Sequence, residues 1–398
     1  MKKSFSIVIT ITLMLLASAL TCLIMMLLYS PKYGVSGNEN YESGQEFTAL
    51  LEKIEEMYIG EYDSREVSSA AMRAAVDALG DRWSYYLTPE EYAEFSNSIN
   101  NQFAGIGVVV VIDEETGGMA ILHTYRGSPA EEAGLTAGDI VIAIDGESVA
   151  GLDLDRMRDL LSRPLGETVD LSVLKADGTV TAVSVTYDLV FTDPILYEML
   201  EGSIGYISIA NFEGSSADGF IAAVGQLLEQ GAQALIFDVR GNGGGMVYEM
   251  TRMLDFLLPE GEVFVSVDRD GKEDITWSDA DMIDVPAVVI VDRFSFSAAE
   301  YFAATLKEYG YADIVGEQTT GKSRSQRTIE LPGGGALHIS TSQYLTKNRV
   351  ALFDVGGLVP DYPLVLSDED FADLITGNLD KENDPQLKLA IDVIRNSE

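Results

Sequence analysis

The chain has 398 residues, 26 basic and 64 acidic, for a net charge of −38, with only two histidines and one cysteine. That length allows two or three domains with real hydrophobic cores. The charge excludes a nucleic-acid surface, the lone cysteine excludes an intrachain disulfide, and the shortage of His and Cys argues against zinc clusters and against Ser-His-Asp or Cys-His catalysis.

The first element is apolar. Between Lys3 and Lys32 lie 28 residues without a charge, centred on Ile7–Leu28. As a helix they would reach about 42 Å, more than the ~30 Å hydrocarbon core of a bilayer. A cleaved signal peptide competes with this reading, since Ala17-Ser18-Ala19 has a small-x-small flavour. The apolar run continues past it through Leu23–Leu28, which favours an uncleaved anchor. Thr21 before Cys22 is a poor lipoprotein signature. Lys2 and Lys3 precede the span and Glu39 and Glu42 follow it, so the positive-inside rule puts the N-terminus in the cytoplasm and the rest outside.

Residues 33–43 read as a polar linker and 44–98 as helical. Phe47, Leu50, Leu51, Ile54 and Met57 recur at helical spacing, a second helix is predicted over Glu66–Leu79, and Thr88-Pro89 is an N-cap followed by a first-turn proline. From Phe103 to about Leu189 the pattern becomes short strands and glycine turns. Strands are predicted at Val108–Ile112, Ala120–His123, Ile140–Ile144 and Val169–Leu174, with short helices at Pro129–Ala133 and Leu154–Leu161.

Beyond Gly202 strands and helices alternate: strand Ile204–Ile209, helix Ala217–Glu229, strand Ala234–Val239, helix Met246–Leu258, strands Val263–Val267 and Ala287–Val291, helix Ser297–Glu308 and strand Ile314–Val315. A hairpin around Pro332–Gly335 and a last helix over Gln386–Arg395 follow. The pattern is an α/β core with an inserted β-rich module.

Three segments of the core carry chemistry. Ser297-Ala298-Ala299-Glu300 reads as a capping box, and a serine there would also have the helix dipole behind any negative charge it develops. Gly241-Asn242-Gly243-Gly244-Gly245 follows an apolar strand and precedes a helix; it is either a strand-to-helix turn or a nest of N–H groups for an anion. Gly316–Ser323 satisfies the G-x-x-x-x-G-K-[ST] phosphate-loop pattern, but the residues after Lys322 read as extended and end at Pro332, where that loop requires a helix. Nucleotide binding is therefore set aside. Loops at the C-terminal ends of strands in an open α/β sheet are favoured sites, and both Ser297 and the glycines fall there. His123 and His338 read as core or surface residues.

Together these segments resemble the carboxyl-terminal processing peptidases, or tail-specific proteases, from about residue 45 to the end. The resemblance rests on Ser295–Glu300, Thr320–Gln326, Asp238–Gly244, Tyr344, Pro360-Asp361 and Asp384–Leu387. It implies an α/β protease core of the ClpP/crotonase-like kind. It further implies Ser297 as nucleophile, Lys322 as general base and Gln326 as the residue that orients it. Backbone N–H groups of Gly243 or Gly244 and of Ala298 would form the oxyanion hole, with Glu300 in support. The insert resembles a PDZ domain, with Gly105, Ile106, Gly107 and Val108 in its carboxylate-binding loop. This chain departs from the family pattern at Phe296, where a small residue is frequent, at Gly243 in place of a common proline, and at Ser323 in place of glycine.

The expected organisation is a transmembrane anchor over 1–32, a linker and helical segment over 33–102, a PDZ domain over 103–189 and a serine protease core over 190–398. The expected function is a membrane-anchored serine endopeptidase that cuts extracytoplasmic proteins at or near their C-termini. It would need no cofactor and no metal, its partners being protein or peptide tails; the helices at 44–98 serve either a homodimer interface or packing on the core. A catalytically silent PDZ adaptor is the alternative. Because a free lysine titrates near about 10.4, a lysine base must be buried with no carboxylate touching its ammonium.

Overall fold

The computed structural model describes residues 38–397, which fall into two units that divide between Val67 and Ser68. The apolar segment before Lys32 lies outside the described residues, and among those described no helix is long and apolar enough to cross a membrane. In the first unit, helix α1 (Asn38–Met57) already begins inside the stretch expected to be a linker, and it exposes Tyr41, Leu50 and Met57. Helix α2 (Ser64–Asp77) spans the boundary between the units.

The second unit opens with strand β1 (Tyr85–Leu87) and helix α3 (Pro89–Ser98). The expected cap forms in full: Thr88 Oγ1 accepts the Glu91 N–H, and the Glu91 carboxylate accepts the Thr88 N–H. The inserted module runs through β2 (Gln102–Gly105), β3 (Val108–Ile112), β4 (Met119–Thr124), α4 (Pro129–Glu132), β5 (Ile140–Ile144), β6 (Glu147–Ser148), α5 (Leu154–Leu161), β7 (Thr168–Leu174), β8 (Val180–Thr186) and β9 (Asp188–Phe191). Strands β3-β4-β5-β7-β8 form one antiparallel sheet over a core that includes Ile121, Val141, Met157 and Leu171. Pairing of β2 with β9 brings the two ends of the insert together.

The remaining elements are β10 (Ile195–Leu200), β11 (Ile204–Ile209), α6 (Ser216–Glu229), β12 (Ala234–Asp238), α7 (Val247–Leu257), β13 (Gly261–Asp268), β14 (Glu273–Ser278), β15 (Ala287–Val291), α8 (Ala298–Glu308), β16 (Ala312–Gly316), β17 (Arg324–Glu330), β18 (Ala336–Leu345), β19 (Tyr362–Pro363), α9 (Asp368–Thr376) and α10 (Pro385–Ser397). The central sheet has the order β10-β11-β12-β15-β16-β19, parallel from β11 to β19. Parallel strands covered on both faces are apolar throughout, and every residue of β12 and β15 is buried. On one face lie Phe220, Met250, Leu254 and Phe302 of helices α6, α7 and α8. On the other lie Leu387, Ala390 and Ile394 of α10. A second sheet, β1-β18-β13-β14 with β17 paired to β18, stands beside it.

Helix α10 is fastened by buried charge. The Arg240 guanidinium, at the end of β12, contacts Asp238 at 2.6 Å and Asp384 at 2.7 Å, and Gln386 accepts from it at 3.2 Å. The same contacts anchor the chain immediately before the glycine loop.

Candidate active site

Strands β12, β15 and β16 are consecutive in the sheet and parallel, so their C-terminal ends lie on one edge. The glycine loop follows β12, Ser297 closes the turn after β15, and Lys322 lies in the loop after β16. Strand order therefore assembles what chain order separates. Ser297, Ala298, Gly243, Lys322 and Gln326 line one cavity of about 540 Å³.

Ser297 has φ +60° and ψ −123°, a conformation that side-chain-bearing residues rarely adopt. It is held there by its neighbours. The Asp292 carboxylate accepts the Gly241 and Phe294 N–H groups, each at 3.0 Å. Ser295 Oγ donates to Val239 O at 2.7 Å, and Phe296 N–H donates to Asn242 O at 3.1 Å. These bonds stitch the serine turn to the glycine loop, and α8 starts at the next residue with its dipole behind Ser297.

A second clamp joins the serine turn to the lysine loop. Glu300 is fully buried, and its carboxylate accepts N–H groups from Ser297 at 2.9 Å, Gly321 at 2.5 Å and Lys322 at 2.8 Å, and the Thr319 hydroxyl at 2.5 Å. Burial raises the Glu300 carboxyl, and the four donors only partly offset it.

Lys322 is 9% exposed, and among the described residues its ammonium makes no hydrogen bond or ion pair. Its Nζ instead stands 4.4 Å from the Trp83 ring centroid and 6.0 Å from that of Phe296. Burial lowers its pKa to about 8, against the opposing charges of Asp81 and Glu300 and with a smaller push from Arg82. Tyr344 donates to the Lys322 carbonyl and so fixes the backbone of the loop.

Two of the expected site residues make other contacts. Gln326 reaches the cavity, but its amide donates to Arg324 O at 2.9 Å and to Ser340 Oγ at 3.0 Å, not to Lys322. The Gly244 N–H is occupied by Asn242 Oδ1 at 2.7 Å, so it does not point free into the site. The Gly243 and Ala298 N–H groups have no acceptor among the described residues, and both residues line the cavity. Gly244 matters instead for space. Its φ is +95°, and an added Cβ would sit 2.7 Å from Ser297 Cβ and 2.9 Å from Ala298 N. Gly244→Ala is expected to lower kcat roughly 10- to 100-fold by displacing the serine turn, measured by peptide-cleavage kinetics.

Sequence reasoning missed Trp83 and His338. Trp83 precedes the insert, and nothing local marks it as a lid on a lysine. His338 lies in the cavity wall, stacked 4.7 Å from the Tyr85 ring and bonded through Nδ1 to Thr328 Oγ1 at 2.9 Å. Burial, and then the Lys322 charge, lower its pKa to about 4. In the insert, Gly105, Ile106, Gly107 and Val108 line a separate groove of about 470 Å³ together with Leu154 and Leu161 of α5.

A serine at a strained helix start beside free N–H groups in one cavity defines a class, the serine hydrolases. A family profile described as Peptidase family S41 matches residues 203–364, and one described as PDZ domain matches 124–175. The carboxyl-terminal-processing protease of Synechocystis sp. is 30% identical over 304 residues, 75% of this chain and 71% of that protein. The carboxy-terminal processing protease CtpA of Bacillus subtilis is 29% identical over 74% of this chain and 63% of that protein. A solved S41-type structure from Bacteroides fragilis, 17% identical, superposes with a TM-score of 0.58 over 86% of this chain and 93% of its own, which supports the fold. The chain belongs to the S41 carboxyl-terminal-processing proteases, and it is a serine-type peptidase with a PDZ domain.

Proposed function

We propose that the protein is a membrane-anchored endopeptidase that cuts extracytoplasmic polypeptides at or near their C-termini with a Ser297/Lys322 dyad. The observation that carries the dyad is the placement of a buried, unpaired lysine and a strained serine in one cavity, their loops joined by Glu300. Ser297 Oγ attacks the scissile carbonyl carbon and its proton passes to neutral Lys322 Nζ. The oxyanion forms against the Gly243 and Ala298 N–H groups. The C–N bond then breaks, and the Lys322 ammonium returns the proton to the leaving amine. Water, deprotonated by the same lysine, releases the acyl group.

The groove at Gly105–Val108 captures the substrate's terminal carboxylate while the tail adds as a strand. Anchoring rests on the uncharged run between Lys3 and Lys32, with the N-terminus cytoplasmic. Pairing of two copies rests on the apolar side chains exposed along α1.

The test uses the full chain in detergent and unstructured peptides with apolar ends, as free acids and as C-terminal amides. Free-acid peptides are expected to be cut, and amidation is expected to lower kcat/KM about ten-fold, since it removes a charge-assisted bond to the loop. No cleavage of either form would overturn the protease assignment; equal cleavage of both would overturn carboxylate capture.

A further inference from the structure

Glu213 is a half-buried residue lining the active-site cavity, with no task in the reaction above. It follows β11, the next parallel strand over from β12, and so stands on the same edge of the sheet as the glycine loop. Its loop is bonded to that loop directly: Phe212 N–H donates to Gly244 O at 2.9 Å, and Met246 N–H donates to Phe212 O at 2.8 Å. The Glu213 backbone is held as well, its N–H by Asn211 Oδ1 at 2.9 Å and its carbonyl by Asn101 Nδ2 at 2.7 Å. The side chain is not. Oε2 is buried and makes no hydrogen bond among the described residues.

Leaving a carboxyl oxygen dry and unpaired costs free energy unless something arrives to satisfy it. Its surroundings say what fits. Glu213 is the one carboxylate among the described residues lining this cavity, and Ile99, Phe95, Met246 and Val247 line it too. An acidic end on an apolar wall matches a side chain with an aliphatic stem and a cationic head. The basic groups of the cavity, Lys322 and Arg324, make no hydrogen bond or ion pair with Glu213.

Resting on the protease reading above, we propose that Glu213 forms the polar end of a substrate subsite that accepts a lysine or arginine flanking the scissile bond. The charged group facing it is Glu249 of α7, whose carboxylate accepts the Ala217 N–H at 2.8 Å and lies 3.9 Å from Arg252. Burial, and then the Glu249 charge, raise the Glu213 carboxyl to about 7. A subsite of this kind favours a cation above that pH and loses the preference below it, because the protonated acid no longer attracts one.

The experiment compares peptides identical except for Lys, Arg, Met or Gln at the positions flanking the cut, all with the same apolar tail. The full chain and its Glu213→Gln variant are assayed at pH 6 and pH 8.5, and ratios of kcat/KM are taken so that titration of the catalytic base cancels. The wild type should prefer Lys or Arg over Met about ten-fold at pH 8.5, as expected for a charge-assisted bond, and lose most of that preference at pH 6. Glu213→Gln should show no basic preference at either pH, read as the Lys-to-Met and Arg-to-Met ratios of kcat/KM within the variant. A wild type without basic preference at pH 8.5 overturns the subsite with no variant needed, as does a preference that survives in Glu213→Gln. Failure to cut any peptide would count against the protease reading itself, which separates the two failures.

Discussion

Ser297→Ala and Lys322→Met are each expected to lower kcat/KM by about 10³-fold or more, and the double variant by no more than either alone, because nucleophile and base act as a unit. Additive losses would sink the dyad. The pH profile supplies a second check. Lys322 accepts a proton only when neutral, and burial lowers its pKa to about 8. Activity should therefore rise as pH increases through about 8 and then level off. A wild-type profile flat from pH 6 to 10 would remove Lys322 from the role of base. Lys322→Met should also separate catalysis from folding. Below about pH 8 the folded wild type holds a desolvated ammonium with no ion pair, whereas the unfolded chain hydrates it. Replacing it with an apolar side chain of similar length should leave Tm unchanged or higher at pH 7 while activity disappears.

Glu300→Ala is expected to lose both stability and activity. The carboxylate receives three backbone N–H groups and one hydroxyl in a site with no solvent access. Removing it strands those donors, at roughly 1–3 kcal/mol each less what relaxation recovers, so a total on the order of 4 kcal/mol is expected. Differential scanning calorimetry should show Tm lower by roughly 10 °C. Glu300→Gln keeps the shape but turns an N–H₂ toward backbone donors. It should fold with a smaller loss and show a reduced kcat at nearly unchanged KM, since Glu300 positions the Ser297 and Lys322 backbones and touches no substrate. A Glu300→Ala protein with wild-type Tm would mean that the clamp contributes nothing.

Much of the core is legible along the chain, and the reason is burial. Strand Ala287–Val291 reads as an unbroken apolar run, and Ile204–Ile209 as one interrupted only at Gly205 and Ser208, because helices cover both faces of a parallel sheet. Elements at the margin are not legible. Edge strand β10 exposes Leu196 and Tyr197, and β14 mixes acids with an exposed Trp277, so neither shows a clean period. Helix α1 begins in a polar stretch whose composition suggests a linker. The P-loop-like run ends in strand β17 where a phosphate loop would open a helix, in line with its extended reading.

The sequence by itself determined which atoms are available: a serine at a helix start, a lysine in a glycine-bounded loop, and glycines after an apolar strand, because residue identity and local spacing carry that chemistry. The tertiary structure decided which of them meet. Adjacency of β12, β15 and β16 brings three distant loops to one edge, and Trp83, from before the insert, covers Lys322. It also turned Gln326 toward Arg324 and Ser340, tied Gly244 to Asn242, and left Glu213 lining the cavity with Oε2 buried and unbonded. Side-chain direction and long-range burial are properties of the packed sheet, and no local pattern of residues contains them.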